Sequence, residues 1–274
     1  MDDIRTALAT IDGWGAEHAG AAVVGPHGIV ASHGELDRRF YWASVTKLVT
    51  TLAVLDAVED GRIEIDEPAG PPDSTVRHLL AHASGLPFEG EAVLALPGTR
   101  RIYSNPGFDA LGALLAERDG RSFDDVVRMR VLAPLGMADT DLDGRPSEGL
   151  HGPLADLAAL ARELLRPTIV TQATLDEATT TAFPGLTGVL PGVGRFDPLD
   201  WGPGFEIRDD KVPHWTGSRN SPRTFGHFGG SGTFLWVDPA LDTALVCLTD
   251  RDYGPWALEA WPSFSDAVIS ALAG

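Results

Sequence analysis

The sequence predicts an α+β fold, in which an antiparallel β-sheet is flanked by helices and carries an inserted, mainly helical subdomain. Strand-like segments occur near both ends of the chain, whereas helical periodicity dominates its middle. The 274 residues, 43% of them hydrophobic, can bury a sizeable core. We therefore predict a discontinuous sheet domain, residues 1–70 and 190–274, and a helical subdomain, residues 71–189, with the functional site between them.

The first elements follow from turn residues and apolar spacing. A helix from about Asp2 to His18 leads into a hairpin that turns at Pro26-His27-Gly28. The hairpin strands are predicted at residues 21–24 and 29–33. Apolar residues at helical spacing then predict a helix from Ser44 to about Asp60, with Gly61 as its stop. The same periodicity predicts further helices at 75–82, 106–118, 123–132, 153–165 and 172–180.

Strands return in the last third of the chain. One is expected near Phe205, and two more at 234–237 and 243–249 are joined by an Asp-Pro turn. The chain is predicted to close with a helix from about Ser263 to Leu272. The Pro/Gly-rich stretch 184–203 is predicted to be a mobile loop.

Composition restricts the partners and the setting. A formal net charge of −18 argues against nucleic acid and anionic membranes, because both require a positive protein face. The single cysteine, Cys247, excludes an internal disulfide and is expected in the core. The acidic first residues lack the apolar stretch of a secretory signal, and no transmembrane run is evident, so we expect a cytoplasmic protein.

One of only two lysines, Lys47, follows Ser44 by three residues. Residues three apart share a helix face, so both side chains project from the first helical turn. A desolvated lysine amine can lose its proton and act as a base, whereas arginine cannot. The unpaired N–H groups at this helix end also favour an oxyanion beside Ser44. The Ser-x-x-Lys arrangement indicates an acylating serine hydrolase, and the alternative is a capping serine beside a surface lysine.

Tyr103-Ser104-Asn105 lies in a loop bounded by Pro97-Gly98 and Pro106-Gly107. A phenol near the amine of Lys47 can exchange a proton with the serine hydroxyl. The amide of Asn105 can donate a hydrogen bond to a substrate carbonyl. The alternative is an Asn-Pro turn with Tyr103 packed beneath it.

A third group of residues, His227-Phe228-Gly229-Gly230, precedes the strand at 234–237. Glycines at an exposed strand let a substrate backbone approach and pair with it. Because His18-Ala19-Gly20 also has the His-x-Gly pattern, the informative feature is the place of His227 on a late hairpin.

The order Ser-x-x-Lys, Tyr-x-Asn, His-x-Gly resembles the superfamily of serine β-lactamases and penicillin-binding proteins, in its class C-like branch, which also contains esterases and D-amino-acid-releasing peptidases. The segments 76–87, 97–99, 134–137 and 201–205 are similar to that family too. The resemblance spans about residue 20 to residue 250 and implies the β-lactamase/transpeptidase-like form of the fold.

The resemblance implies that Ser44 forms an acyl-enzyme, and that Lys47 and Tyr103 together handle its proton and later activate water. Which of the two is the base stays open. Neither a metal nor a cofactor is required.

The remaining implied roles concern substrate binding. Asn105 would orient the substrate amide, and His227, Gly229 and Gly230 would lie beside the reacting group. The backbone N–H groups of Ser44 and Gly230 would form the oxyanion hole.

His227 takes a position that many relatives fill with lysine, so a permanent positive charge for a substrate carboxylate is missing. Strong action on carboxylate-bearing β-lactams is therefore not expected, unless Arg219 or Arg223 supplies that charge. The chain is also shorter than typical members, which predicts a more open site.

Other patterns were weaker. His78 and His82 lie one helical turn apart, but neither a glutamate base nor a third zinc ligand accompanies them. The glycines at 229–232 match neither a nucleophile elbow nor a phosphate loop. Three tryptophans either line an acyl pocket or pack in the core: Trp42, Trp201 and Trp215.

We thus predict a serine hydrolase that acts through an acyl-enzyme on a small ester or amide substrate. The alternative is a catalytically silent, penicillin-binding-like or ligand-binding protein of the same fold. The natural substrate and the oligomeric state are not predicted.

Overall fold

The structure of the chain, a computed structural model, describes residues 2–274. Its helices are α1 (Asp2–Leu8), α2 (Thr46–Glu59), α3 (Val76–Leu80), α4 (Asn105–Asp119), α5 (Phe123–Val127), α6 (Leu154–Leu165), α7 (Gln172–Ala178) and α8 (Pro255–Leu272). Short 3₁₀ turns occur at Ala9–Gly13 and Ala43–Val45, and a π-helical turn extends α5 over Arg128–Leu132.

Twelve strands occur in the same residues. They are β1 (Ala19–Gly25), β2 (Gly28–Gly34), β3 (Arg39–Tyr41), β4 (Arg101–Ile102), β5 (Asp141–Leu142), β6 (Leu150–Pro153), β7 (Gly188–Leu190), β8 (Gly194–Phe196), β9 (Glu206–Ile207), β10 (Phe225–Gly229), β11 (Thr233–Asp238) and β12 (Thr243–Thr249).

The main sheet joins the two ends of the chain. Its six strands follow the order β2-β1-β12-β11-β10-β9, and every pair is antiparallel. The N-terminal hairpin pairs directly with β12, in a register that places Ala19 opposite Thr249. The predicted α+β fold with an antiparallel sheet is therefore confirmed.

Helices cover both faces of this sheet. Because successive side chains of a strand point to opposite faces, Val24 and Val246 belong to a core that includes α2 and α6, whereas Val23 and Leu245 belong to a second core with α1 and α8. Cys247 is buried in the second core, as expected. Helix α2 is buried along most of its length, because it also packs against α4.

Two small sheets complete the fold. β3 pairs with β6, which also pairs with β5, and β7 lies between β4 and β8. Helices α3 to α7 lie between the two parts of the chain that form the main sheet. The predicted boundaries of the sheet domain and the helical subdomain stay a prediction.

Three predicted elements were wrong in extent. The first helix ends at Leu8 and not at His18, since a 3₁₀ turn and then Gly15, with φ of +70°, interrupt it. The stretch 184–203 is not an unstructured loop, because β7 and β8 form a hairpin within it. The last helix begins at Pro255, a favourable first position, and includes Pro262, so its predicted start at Ser263 was too late.

Among residues 2–274, no helix combines the length and the apolar character that crossing a bilayer requires.

Candidate active site

Ser44 lies in the 3₁₀ turn that precedes α2, so the predicted single α-helix from Ser44 was wrong at its first residues. Lys47 follows in the first turn of α2, three residues later, so the two side chains share one face. The Oγ of Ser44 lies 3.2 Å from the Nζ of Lys47. Ala43, just before the serine, has φ of +46°, a conformation that costs energy for any residue with a Cβ. The turn that presents Ser44 is thus strained.

Lys47 is completely buried behind Ser44. Its Nζ donates to the Oδ1 of Asn105 at 2.6 Å and to the backbone carbonyl of Ser147 at 2.9 Å. Burial lowers the pKa of this amine to about 7, although nearby carboxylates, Glu148 foremost, act in the opposite direction. A substantial share of the Lys47 amine is therefore neutral at physiological pH.

Tyr103 connects the serine to the sheet. Its hydroxyl lies 3.3 Å from the Nε2 of His227, whose Nδ1 lies 2.7 Å from the carbonyl of Phe228. The carbonyl can only accept, so Nδ1 carries the imidazole proton and Nε2 accepts from the phenol. Burial raises the pKa of Tyr103, while a hydrogen bond with Ser44 acts in the other direction. Burial also lowers the pKa of His227, to about 3, so this histidine is neutral.

Asn105 begins α4, where Ser104 caps the helix by accepting from the N–H of Gly107. The Asn105 side chain accepts from Lys47 through Oδ1 and donates through Nδ2 to Glu89, at 2.7 Å. One hydrogen of the amide is thus engaged by a carboxylate, and the other is the one that a substrate carbonyl can use.

The glycine-rich turn after β10 packs against the segment that precedes Ser44. Gly229 has no room for a Cβ, which would meet the carbonyl of Trp42 and the side chain of Thr233. Hydroxyl groups secure this contact, as Thr233 donates to the Trp42 carbonyl and Ser231 to the Tyr41 carbonyl.

These residues surround a cleft of about 580 Å³. Five of the residues predicted from the sequence line it: Ser44, Tyr103, Asn105, His227 and Gly230. Lys47 lies behind Ser44, and Gly229 supports the wall without lining the cleft. Gly230 faces open space, since a Cβ there would meet no atom within 4 Å.

The charged residues of the cleft wall are all acidic: Glu89, Glu148, Glu206 and Asp252. Arg145 binds both Glu89 and Glu148 at 2.8 Å, and it lowers the pKa of Glu89 to about 2. The other lysine, Lys211, forms a buried ion pair with Glu206 at 2.9 Å.

Neither arginine considered as a source of positive charge lines this cleft. The backbone of Arg219 donates to Asp266, and Arg223 lines a separate cavity near α7. The cleft wall therefore offers no fixed cation for a substrate carboxylate.

Several groups that contact the site residues have no recognisable signal in the sequence. The carbonyl of Ser147 leaves no side-chain signal, and the charged pair of Glu89 and Arg145 belongs to no recognised motif. His82 was considered only as a zinc ligand. Its Nδ1 instead accepts a hydrogen bond from the N–H of Ser104 at 3.1 Å, and its ring packs at a tilt against Tyr103, with ring centroids 4.4 Å apart.

The two histidines of the zinc alternative have separate environments. His78 stacks on Phe183 and its Nδ1 lies 2.8 Å from the Thr75 hydroxyl. Of the three tryptophans, Trp201 lines the cleft, whereas Trp42 and Trp215 are buried in the core.

The fold, and the cleft serine with a buried lysine behind it, define a Ser-x-x-Lys serine hydrolase. A family model described as Beta-lactamase matches residues 16–265, and the chain belongs to that family.

Solved structures and curated relatives agree with this assignment. The structure of a beta-lactamase from Mycobacterium bovis is 53% identical, with a TM-score of 0.95, over 97% of this chain and 99% of that one. AmpH of Escherichia coli, a D-alanyl-D-alanine-carboxypeptidase/endopeptidase, is 26% identical over 42% of this chain and 39% of its own length. Lovastatin esterase of Penicillium rubens is 26% identical over 45% of this chain and 44% of its own length.

The alignments with these two curated relatives thus span less than half of their lengths. The comparisons confirm the predicted family, and they are consistent with the predicted class of serine hydrolase.

Proposed function

We propose that this protein hydrolyses small ester or amide substrates through an acyl-enzyme on Ser44, with neutral Lys47 as the base. The observation that carries the proposal is the set of three contacts around the Lys47 amine. Two are carbonyl oxygens, from Asn105 and Ser147, which can only accept hydrogen bonds. The third is the hydroxyl of Ser44.

A neutral amine has two hydrogens and one lone pair. The two carbonyl oxygens engage both hydrogens, so the lone pair is directed at the Ser44 hydroxyl, 3.2 Å away. In acylation Lys47 takes the hydroxyl proton while Oγ forms a bond to the substrate carbonyl carbon. The proton then passes to the leaving alcohol or amine as the carbonyl–heteroatom bond breaks. Deacylation reverses these roles, with water as the nucleophile.

Tyr103 serves as a proton carrier in this scheme. Its raised pKa disfavours a resting tyrosinate, which supports Lys47 as the base. Its hydroxyl lies 3.3 Å from neutral His227 and lines the cleft, where it can give its proton to the leaving group and regain one from the Lys47 ammonium, so that one proton in total passes from Ser44 to the leaving group. The backbone N–H groups of Ser44 and Gly230 are proposed as the oxyanion hole, and Asn105 as the group that orients the substrate.

The charge of the cleft favours neutral esters and amides over carboxylate-bearing β-lactams. Glu206 is balanced by Lys211, but Glu89 and Glu148 share one arginine, and Asp252 forms no ion pair within residues 2–274. An anionic group close to Ser44 would therefore be repelled. The name of the related esterase agrees with this substrate range. The net charge of −18 supports small molecules over nucleic acid as partners, and the cytoplasmic location stays a prediction.

The test is covalent labelling. Wild-type protein is incubated with a fluorophosphonate and with p-nitrophenyl acetate, and intact mass reports the adduct and its decay. We expect an adduct that is lost in Ser44→Ala and kept in Ser231→Ala, which removes another serine hydroxyl of the same cleft. No adduct and no hydrolysis would favour the silent, ligand-binding alternative.

A further inference from the structure

A second cavity adjoins the catalytic cleft. We call it the side groove; it has a volume of about 330 Å³ and shares three lining residues with the cleft: Phe88, Tyr103 and Pro191. The segment 88–94 contributes to one wall, and the β7–β8 hairpin contributes to another. Because Tyr103 lines both spaces, a single substrate can place its carbonyl at Ser44 and extend past the phenol into the side groove.

Exposed apolar side chains are concentrated along the side groove. Phe88, Leu94 and Val189 are 50%, 60% and 55% exposed. A single exposed apolar residue is ordinary, but three that line one groove beside a reactive serine indicate a surface that a ligand covers.

Three arginines line the side groove, and one of them, the buried Arg101, donates to backbone carbonyls. The other two are Arg100 and Arg195. Neither forms an ion pair with a carboxylate in the described part of the chain, although the protein carries a net charge of −18. In the catalytic cleft the pattern is the opposite, since the lining charges are acidic and Arg145, which does not line the cleft, is bound by Glu89 and Glu148. Guanidinium groups without a partner are suited to bind carboxylate oxygens.

We propose that the side groove binds an unbranched aliphatic chain of the substrate, and that Arg100 and Arg195 bind a carboxylate at the end of that chain. The inference rests on the proposed acyl transfer at Ser44, which places the reacting carbonyl. The acidic cleft wall repels an anion near the serine, and the arginines attract it in the groove. The charge pattern therefore selects one orientation of the substrate.

The first experiment measures kcat/KM for two series of esters whose unbranched chain grows from four to ten carbons. In one series the chain is on the acyl side, and in the other it is on the alcohol of an acetate ester. Burying one methylene raises kcat/KM about two- to fourfold, so we expect a steep rise in one series until the groove is filled. The series that responds identifies the side of the ester that enters the groove, and no chain-length effect in either would overturn the proposal.

The second experiment tests the arginines. The ester of octanoic acid is compared with the matching half-ester of suberic acid, which ends in a carboxylate, and their alcohol-side equivalents are compared in the same way. We expect the double variant R100Q/R195Q to lower the ratio of carboxylate to methyl substrate about three- to tenfold, because these side chains are partly exposed to solvent. The matched control is R121Q, an exposed arginine that lines neither space. An equal ratio in all three proteins would refute the role of the arginines.

Binding without turnover separates this inference from the proposed function. The methylamides of suberic acid and of octanoic acid are titrated calorimetrically into Ser44→Ala and into Ser44→Ala/R100Q/R195Q, neither of which can turn them over. We expect the suberic amide to bind to the first protein and several-fold more weakly to the second. If no ester is hydrolysed but the amides bind as expected, the proposed function is wrong and the proposal for the side groove is supported. If esters are hydrolysed and neither amide binds, only the groove proposal fails.

Discussion

The pH dependence of acylation tests whether neutral Lys47 is the base. Burial lowers the pKa of its amine to about 7, and only the unprotonated amine can accept the Ser44 proton. The acylation rate should therefore rise with pH and level off above about 7. Each unit below the pKa lowers the neutral fraction about tenfold, so at pH 5 the rate should be about one hundredth of its plateau.

A tyrosinate base would behave differently. Burial raises the pKa of Tyr103 above the ordinary value of 10.0, so the rate would still be climbing at pH 9. The second-order rate of fluorophosphonate labelling reports the activation of the Ser44 hydroxyl alone, because Oγ bonds to phosphorus as fluoride leaves and the phosphonyl adduct does not turn over on the time scale of the assay. A plateau that begins near neutrality supports the amine, and a rate that climbs through pH 9 refutes it.

Replacing Lys47 by arginine is a second test of whether its neutral amine is the base. In Lys47→Arg the guanidinium keeps its proton, so we expect labelling to fall about 10²- to 10⁴-fold and the inflection near neutrality to vanish. The matched control is Lys211→Arg, which changes the other buried lysine, a partner of Glu206 and not of Ser44. Circular dichroism verifies that both variants fold. A rate for Lys47→Arg within tenfold of wild type would contradict the proton-transfer role.

Three further predictions concern the same site. Tyr103→Phe keeps the ring but loses the hydroxyl, so turnover of esters should fall about 10²-fold with the inflection near neutrality unchanged; a shifted inflection in the pH profile would contradict the assignment. Between pH about 7 and 10.5 the unfolded chain holds the Lys47 proton that the folded chain has lost, so raising the pH across this window should stabilise wild type relative to Lys47→Met. The gain is up to about 5 kcal/mol in urea unfolding, and parallel pH curves for the two proteins would refute it. Ala43→Gly relieves the positive φ before the serine and should stabilise the fold by about 1 kcal/mol in the same assay, whereas a loss of stability would show that the turn is not strained.

The sequence predicted those strands that are long enough to show a periodic pattern of apolar residues. The hairpin at residues 19–34 and the strands at 233–249 alternate or carry β-branched runs, and both were predicted, whereas β10 was not. Strands of two or three residues, such as β4 and β7, have no period, and only their partners define them. The Pro/Gly-rich segment around β7 therefore read as a loop, although it forms a wall of both the cleft and the side groove.

In the candidate site, too, the sequence predicted the local contacts and not the long-range ones. Ser44 and Lys47 are three residues apart, so their contact is local and spacing alone predicted it. The contact between Tyr103 and His227 joins residues 124 apart, and only the resemblance to a family brought them together in advance. The carbonyl of Ser147 and the carboxylate of Glu89 carry no motif, so nothing in the sequence pointed to them.

The Ser-x-x-Lys spacing does not by itself determine whether the lysine amine can accept a proton. On a solvated helix the same pair would hold a charged ammonium, which cannot accept a proton. Here the amine of Lys47 is enclosed by α2, the first residue of α4 and the backbone at Ser147, and that enclosure lowers its pKa. The reactivity that we propose for Ser44 is therefore a property of the assembled fold and not of the spacing. A substitution that let water reach Lys47, without touching either motif residue, should silence the serine while the motif stays intact.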